Sequence, residues 1–229
     1  MKKIGIIGGL GPLATVDFFN KIVINTNAAN DQDNVPILIY NNPQIPDRTK
    51  SILYGGESPV NAIVHTAKVL ENMGADFLAI PCNTSFYYYE QIVEQLRVPL
   101  LNMLDLTADY LVDKGLKNVC ILGTEGTLKS RIYHDKLKDR NIDVVDIDEN
   151  MTELLSYVIY DVVKKNDFNV DISNFKEKLK SIRDENNVDV FVLACTELPI
   201  LFEHFGLDFN TVDPTLLLAL ESIRLSKRG

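Results

Sequence analysis

Two cysteines, 113 positions apart, end two segments that read alike. The first is Ala75-Asp76-Phe77-Leu78-Ala79-Ile80-Pro81-Cys82-Asn83-Thr84, and the second is Val188-Asp189-Val190-Phe191-Val192-Leu193-Ala194-Cys195-Thr196-Glu197. Each carries an Asp, five mostly apolar residues, a Cys, and then polar residues able to open a helix. A thiolate is a base and a thiol an acid. Two of them on opposite sides of one carbon can therefore invert it. One removes the α-proton from one face, the other returns a proton to the opposite face, and the roles exchange for the reverse reaction.

The elements around the cysteines have to supply that placement. In open parallel sheets ligands bind beyond the carboxyl ends of the strands, and Cys82 and Cys195 both come directly after an apolar run. Two such sheets facing each other would set the thiols on opposite sides of a shared cleft. Backbone N–H groups at the next helix starts can bind a carboxylate and spread developing charge. The same helix starts are expected to draw a thiol toward its thiolate form. Asn83, Thr84, Thr124, Thr127 and Thr196 add side-chain donors at strand ends. Cys120 lies inside its strand and reads as a small core residue. His65, His134 and His204 show no metal-ligand spacing with the cysteines, so no metal is expected.

Short apolar runs alternate with amphipathic stretches along the whole chain. Strands are expected at 3–8, 36–41, 76–81 and 98–101, with helices at 12–29, 58–73, 85–97 and 104–114. The plan then repeats, with strands at 118–123, 142–147, 188–194 and 211–212, and helices at 127–140, 150–165, 171–186, 197–206 and 214–227. Uninterrupted apolar strands between helices imply α/β architecture, with parallel sheets covered on both faces. The halves also match at their starts: Ile4-Gly5-Ile6-Ile7-Gly8-Gly9-Leu10-Gly11 parallels Val119-Cys120-Ile121-Leu122-Gly123-Thr124-Glu125-Gly126 at an offset of 115. The expected organisation is an N-terminal α/β domain over 1–100 with Cys82, a C-terminal one over 101–212 with Cys195, and a helix over 213–229 packing back on the first. Each half is expected to be a doubly wound, flavodoxin-like sheet, the two related by pseudo-twofold symmetry with the active site between them.

Composition narrows the partners. The chain has 229 residues and a 46% apolar share, enough for a sizeable core. A net charge of −9 argues against nucleic acid, whose binding relies on clustered Lys and Arg. No run approaches the ~18 apolar residues of a membrane span, and Lys2-Lys3 leads into too short an apolar run for a signal peptide. Three cysteines without secretory features point to free thiols in a reducing cytoplasm.

These residues resemble the aspartate/glutamate racemase family, cofactor-independent enzymes with two catalytic cysteines, and most closely the archaeal-type aspartate racemases. The motifs that carry the resemblance are Gly8-Gly9-Leu10-Gly11-Pro12, Ile45-Pro46-Asp47-Arg48-Thr49, Pro81-Cys82-Asn83-Thr84, Gly123-Thr124-Glu125-Gly126-Thr127 and Ala194-Cys195-Thr196-Glu197. The resemblance implies Cys82 and Cys195 as the acid/base pair, with Asn83, Thr84, Thr124, Thr127 and Thr196 on the α-carboxylate or amino group. It implies Arg48 on the distal carboxylate and Lys164 as a second cation. Ser85 and Glu197 complete the candidate binding set. It further implies a small acidic amino-acid substrate, no cofactor and a homodimer. Read as residues alone, Arg48 is a ligand or a solvated loop residue. Lys164 is a ligand or a helix-end cap, with Lys165 as the alternative if the register slips. Glu197 orients Cys195 or substrate, or simply starts the next helix. The chain departs from many family members in two places: Ser85-Phe86 stands where a His often comes after the first Cys-Asn-Thr, and Ala194 stands where Gly often precedes the second Cys.

Three rival readings remain. Gly9-Leu10-Gly11-Pro12-Leu13-Ala14 fits a loose nucleotide-binding glycine pattern. However, the second strand ends in Tyr40-Asn41-Asn42 without an acid for a ribose, and Pro12 removes an N–H that phosphates would use. The other rivals are a non-catalytic binding protein for a small acid, and a related two-cysteine isomerase such as a maleate isomerase.

Overall fold

The structure is a computed structural model and describes residues 1–228. Contacts divide it into two compact units, Met1–Met103 together with the chain from Thr215 onward, and Leu104–Pro214.

The first unit is built on β1 (Ile4–Gly8), every residue of which is buried. The helix α1 (Pro12–Asn25) comes next, with Pro12 at the position where a missing N–H costs nothing. Gly9 makes the turn between them with φ of +95°, and a Cβ there would overlap the Asn42 carbonyl group. The strand β2 (Ile37–Asn41) pairs in parallel with β1 from Ile4↔Ile37 to Gly8↔Asn41. After it lie α2 (Arg48–Tyr54), α3 (Val60–Asn72) and β3 (Phe77–Ala79), which pairs with the other edge of β1 from Ile4↔Phe77 to Ile6↔Ala79. The short helix α2 stands where the apolar pattern implies only a loop. Asp47 caps it by accepting from Lys50 N at 2.8 Å, and Gly55 closes it with φ of +63°.

After β3 a 3₁₀ segment runs Asn83–Tyr88 and passes into α4 (Tyr89–Val93), in place of the single helix expected over 85–97. The chain is pulled out of helix by Glu71 of α3, whose Oε1 accepts from Arg97 N at 2.6 Å and Val98 N at 3.2 Å. The strand expected at 98–101 shrinks to one parallel bridge, Leu78↔Leu100. Pro99 has no N–H to extend the pairing. The C-terminal helix Pro214–Lys227 belongs to this unit. Lys2 N donates to Ser226 O at 2.9 Å, and Lys227 Nζ to Thr26 O at 2.8 Å.

The second unit opens with α5 (Met103–Asp113) and centres on β4 (Asn118–Gly123). In place of the single helix expected over 127–140, two form, α6 (Glu125–Lys129) and α7 (Ile132–Lys138). Arg131 between them adopts φ of +55°, a left-handed conformation that no α-helix continues through. Then come β5 (Asp143–Val145), α8 (Glu149–Ser156), a π-helical stretch Tyr157–Val163, α9 (Ser173–Asn186), β6 (Val190–Ala194), α10 (Glu197–His204) and β7 (Thr211–Val212). The strands lie in parallel in the order β5-β4-β6-β7. Leu122, Phe191 and Leu193 of the sheet meet Met151, Leu155, Ile159, Val162 and Leu179 in one buried cluster. Burying each such side chain stabilises by roughly 1.5–3 kcal/mol.

Strand order is the same in both units. Numbered within each unit it is 2-1-3, with a fourth element outside strand 3, either β7 or the single Leu100 bridge. The Asp that opens each look-alike segment has the same task in both. Asp76 accepts from Lys3 N at 2.6 Å, and Asp189 accepts from Lys117 N at 3.0 Å and Asn118 N at 2.9 Å, so strand 3 is pinned to the start of strand 1. In return Asp76 N donates to Lys3 O and Asp189 N to Asn118 O.

The bonds from Asn118 and then Lys117 hold the Asp189 carboxyl below the ordinary carboxylate range. A depressed folded value contributes stability above the unfolded value of about 3.9, and that stability is lost as pH falls through the folded value. The urea midpoint of Asp189→Asn is therefore expected to fall less steeply than that of the unmodified chain between about pH 5 and pH 2. Equal slopes would show that Asp189 carries no such linkage.

Candidate active site

Strand order decides where polar groups gather. In a 2-1-3 sheet, successive crossovers leave the central strand on opposite faces, so a crevice opens beyond the ends of strands 1 and 3. In the second unit the last paired residues are Gly123↔Ala194, and the next residue on each strand is Thr124 and Cys195. In the first unit β1 and β3 pair as far as Ile6↔Ala79. Counting on in the same register sets the Gly8-Gly9 turn level with Pro81-Cys82.

Cys82, Asn83, Thr84 and Ser85 are all buried. Cys82 is extended, its N donates to Ile80 O at 2.9 Å, and its carbonyl accepts from Ser85 N at 3.3 Å. The Ser85 hydroxyl is buried and makes no hydrogen bond among the described residues. Phe86, at the position where many family members have His, stacks on Tyr89 with ring centres 5.8 Å apart. That face is apolar packing rather than an acid/base group. Arg48 sits in the first turn of α2, not in a solvated loop, and is 8% exposed. Its Nη2 donates to Leu10 O at 2.8 Å and its Nη1 to Pro46 O at 3.1 Å, which ties the guanidinium to the glycine-rich turn after β1. Tyr88 O–H donates to Ser51 Oγ at 2.7 Å, linking the 3₁₀ segment after Cys82 to the helix that carries Arg48.

In the second unit Thr124 caps α6, accepting from Thr127 N at 3.3 Å, and the two buried hydroxyls lie 3.2 Å apart. Cys195 Sγ donates to Glu197 Oε2 at 3.0 Å, and Thr196 Oγ1 donates to the same oxygen at 3.1 Å. Lys164 Nζ stands 3.9 Å from Glu197 Oε1. It is the residue that ends the π-helical stretch, its N bonding to Ile159 O five residues back. Lys165 instead turns outward to Asp161, at 2.6 Å and well exposed. Glu197 does begin α10, and it also contacts Cys195 directly. Burial first, and the Glu197 charge second, push the Cys195 thiol well above the ordinary thiol range, while the Lys164 ammonium acts the other way. This reverses the expectation that the helix start would favour the thiolate. At Cys195, burial beside a carboxylate favours the neutral thiol.

Tyr160 is a residue that the sequence pattern did not single out. Lys164 Nζ lies 4.6 Å from the centre of its ring. Its spacing four residues before Lys164, on one helical face, was the available signal. Tyr160 also lines a cavity of about 790 Å³ with His134, Asp146, Glu153 and Tyr157. None of the expected site residues lines that cavity.

Comparison with known proteins places this geometry in a family. The family described as Asp/Glu/Hydantoin racemase matches residues 7–221. The chain belongs to that family. Among solved structures, this racemase resembles the Picrophilus torridus aspartate racemase at 37% identity, covering 99% of this chain and 95% of that one with a TM-score of 0.84. It is 29% identical over 224 residues to the broad specificity amino-acid racemase RacX of Bacillus subtilis, covering 96% of each chain. It also shares its fold with the Francisella tularensis glutamate racemase solved with D-glutamate, at 20% identity, 99% and 81% coverage and a TM-score of 0.71. The architecture is that of two flavodoxin-like halves, and membership makes the protein an isomerase. No helix among the described residues is long and apolar enough to cross a membrane.

Cys120 lies inside its strand, whereas Cys82 and Cys195 follow theirs. It is fully buried in mid-strand, and burial first, with Asp146 second, pushes its pKa up to about 12. In the native protein at pH 8, iodoacetamide is expected to leave Cys120 unmodified, and full labelling is expected only in denaturant. Peptide mass spectrometry reads this directly, and native labelling of Cys120 would contradict its placement.

Proposed function

We propose that this racemase interconverts L- and D-aspartate by cofactor-independent, two-base α-proton transfer, with Cys82 and Cys195 as the bases. The observation that carries the reading is the recurrence of a buried cysteine just beyond strand 3 of each unit, each leading into a helix start. The likeness to the Picrophilus aspartate racemase supports the substrate. In this scheme backbone N–H groups after each cysteine, with Asn83, Thr84, Ser85, Thr124, Thr127 and Thr196, hold the α-carboxylate and amino group. Withdrawing charge from the α-carbon makes its proton removable.

Arg48 holds the distal carboxylate in this reading. Its guanidinium is already fixed by two backbone carbonyls, so it offers a preorganised fork at little entropic cost. Lys164 adds the second positive charge. Glutamate is a near alternative, since one methylene is worth only ~1–3 kcal/mol of discrimination. A broader amino-acid range is the second reading, favoured by the end-to-end likeness to the Bacillus broad-specificity racemase. We place the protein in the cytoplasm, because its three cysteines are free thiols.

In deuterated water the native protein is expected to incorporate deuterium at the α-position of aspartate. Cys82→Ala and Cys195→Ala are each expected to lose racemisation by at least about 10²–10⁴-fold. Exchange without racemisation would favour a one-base enzyme, and no exchange with any amino acid would leave a binding protein or a different two-cysteine isomerase. Arg48→Lys is expected to raise KM for aspartate by about 10-fold or more with a smaller change for alanine, since the bidentate fork is lost.

We also propose a homodimer. Val16, Phe19, Val23 and Ile24 leave an exposed apolar stripe on α1, and contiguous exposed apolar side chains are what an interface between copies covers. A second copy is the occupant in this reading. Light scattering is expected to give the dimer mass, and Val16→Glu with Ile24→Glu the monomer mass. A monomeric native chain would rule this out.

A further inference from the structure

The turn after β6 carries Glu197, read from the sequence as orienting Cys195 or substrate, and its contacts give that reading a definite form. Glu197 is 3% exposed. Its Oε2 accepts from Cys195 and Thr196, and its Oε1 faces Lys164, which rests on the Tyr160 ring. Among the described residues, the charged groups that act on Cys195 are Glu197 from α10 and Lys164, backed by Tyr160, at the end of the π-helical stretch. Cys82 leads instead into the neutral Asn83, Thr84 and Ser85. A thiolate 3.0 Å from the Glu197 carboxylate in a dry pocket would be repelled, so that carboxylate favours a proton on Cys195.

We propose that Cys195 and Glu197 share one proton that rests on the sulfur, making Cys195 the proton-donating thiol of the resting enzyme and Glu197 its positioning residue. The proposal deepens, and rests on, the two-thiol reading above. The Cys82 thiolate takes the α-proton, and the C–H bonding pair stays on carbon. The Cys195 S–H bond then breaks toward the opposite face of that carbon, and its bonding pair stays on sulfur. Each thiol has exchanged its state and the enzyme's proton count is unchanged. The new thiolate faces Glu197, and the Lys164 ammonium offsets the two negative charges. Burial of Cys195 works in the same direction, by favouring the neutral thiol before turnover.

The test is a titration of Cys195 in the full chain by NMR of ¹³Cβ-labelled cysteine, with the resonance assigned through Cys195→Ser. Glu197→Gln is expected to lower the Cys195 midpoint by about 1 pH unit or more, because it removes the neighbouring negative charge and keeps the shape. The high-pH limb of kcat/KM is expected to move down with it. Lys164→Met, which removes the offsetting cation, is expected to move the midpoint up, and it provides a second reading if Glu197→Gln fails to fold. A structural role for Glu197 alone would leave the midpoint in place. An unchanged or raised midpoint in Glu197→Gln, or an unchanged or lowered one in Lys164→Met, overturns the proposal. The titration does not depend on turnover. Shifts of the expected sign in a chain that racemises no amino acid would therefore sink the substrate reading alone, whereas an active racemase whose Cys195 ignores both substitutions would sink this proposal alone.

Discussion

A parallel strand buried on both faces can show polar groups only where it ends. β1, β4 and β6 are buried along almost their whole length, so the donors, acceptors and nucleophiles they position lie at strand ends, and the cysteines lie at the carboxyl edge. The 2-1-3 order then selects one place along that edge, beyond strands 1 and 3, where the flanking helices leave on opposite faces. Cys82, Thr124 and Cys195 sit at such ends. The rest of each unit serves to hold the ends in register, through the paired strands, the apolar helix faces, and the Asp that stitches strand 3 to the beginning of strand 1.

Within this shared plan the two units have diverged at the thiols themselves. In the first, the cysteine leads into small neutral polar residues on a 3₁₀ turn, and a fixed Arg48 bridges two backbone carbonyls. In the second, the cysteine donates to a buried carboxylate that a lysine faces from the other side. One architecture therefore offers two different electrostatic settings for the same functional group.

The π-helical stretch matters to the second setting. Closing bonds five residues apart inserts an extra residue per turn and rotates the later side chains relative to a regular helix. Such stretches are rare and are frequent at functional sites. Here Lys164 is delivered to Glu197 while its neighbour Lys165 points to Asp161 in solvent.

Much of the fold was legible in the residues. Apolar runs marked the strands, and the repeated Asp-to-Cys segment marked the duplication, because a buried parallel strand leaves little choice of residue type. The strand 118–123 and the helix 214–227 have the bounds that their patterns implied. The α2 helix at Arg48, the break at Arg131 and the shrunken strand at Leu100 were not legible. Each depends on a partner distant in sequence or on a single backbone angle that composition does not reveal. The same division holds at the site. The sequence by itself determined which reactive side chains stand at the strand ends, since thiols, hydroxyls and cations there are chemical facts of the chain. Only the tertiary structure decided the state in which they are held. A pKa is set by burial and by charges a few ångströms away: the chain already sets Glu197 two residues after Cys195, but packing turned its carboxylate onto the thiol and brought Lys164 up to it.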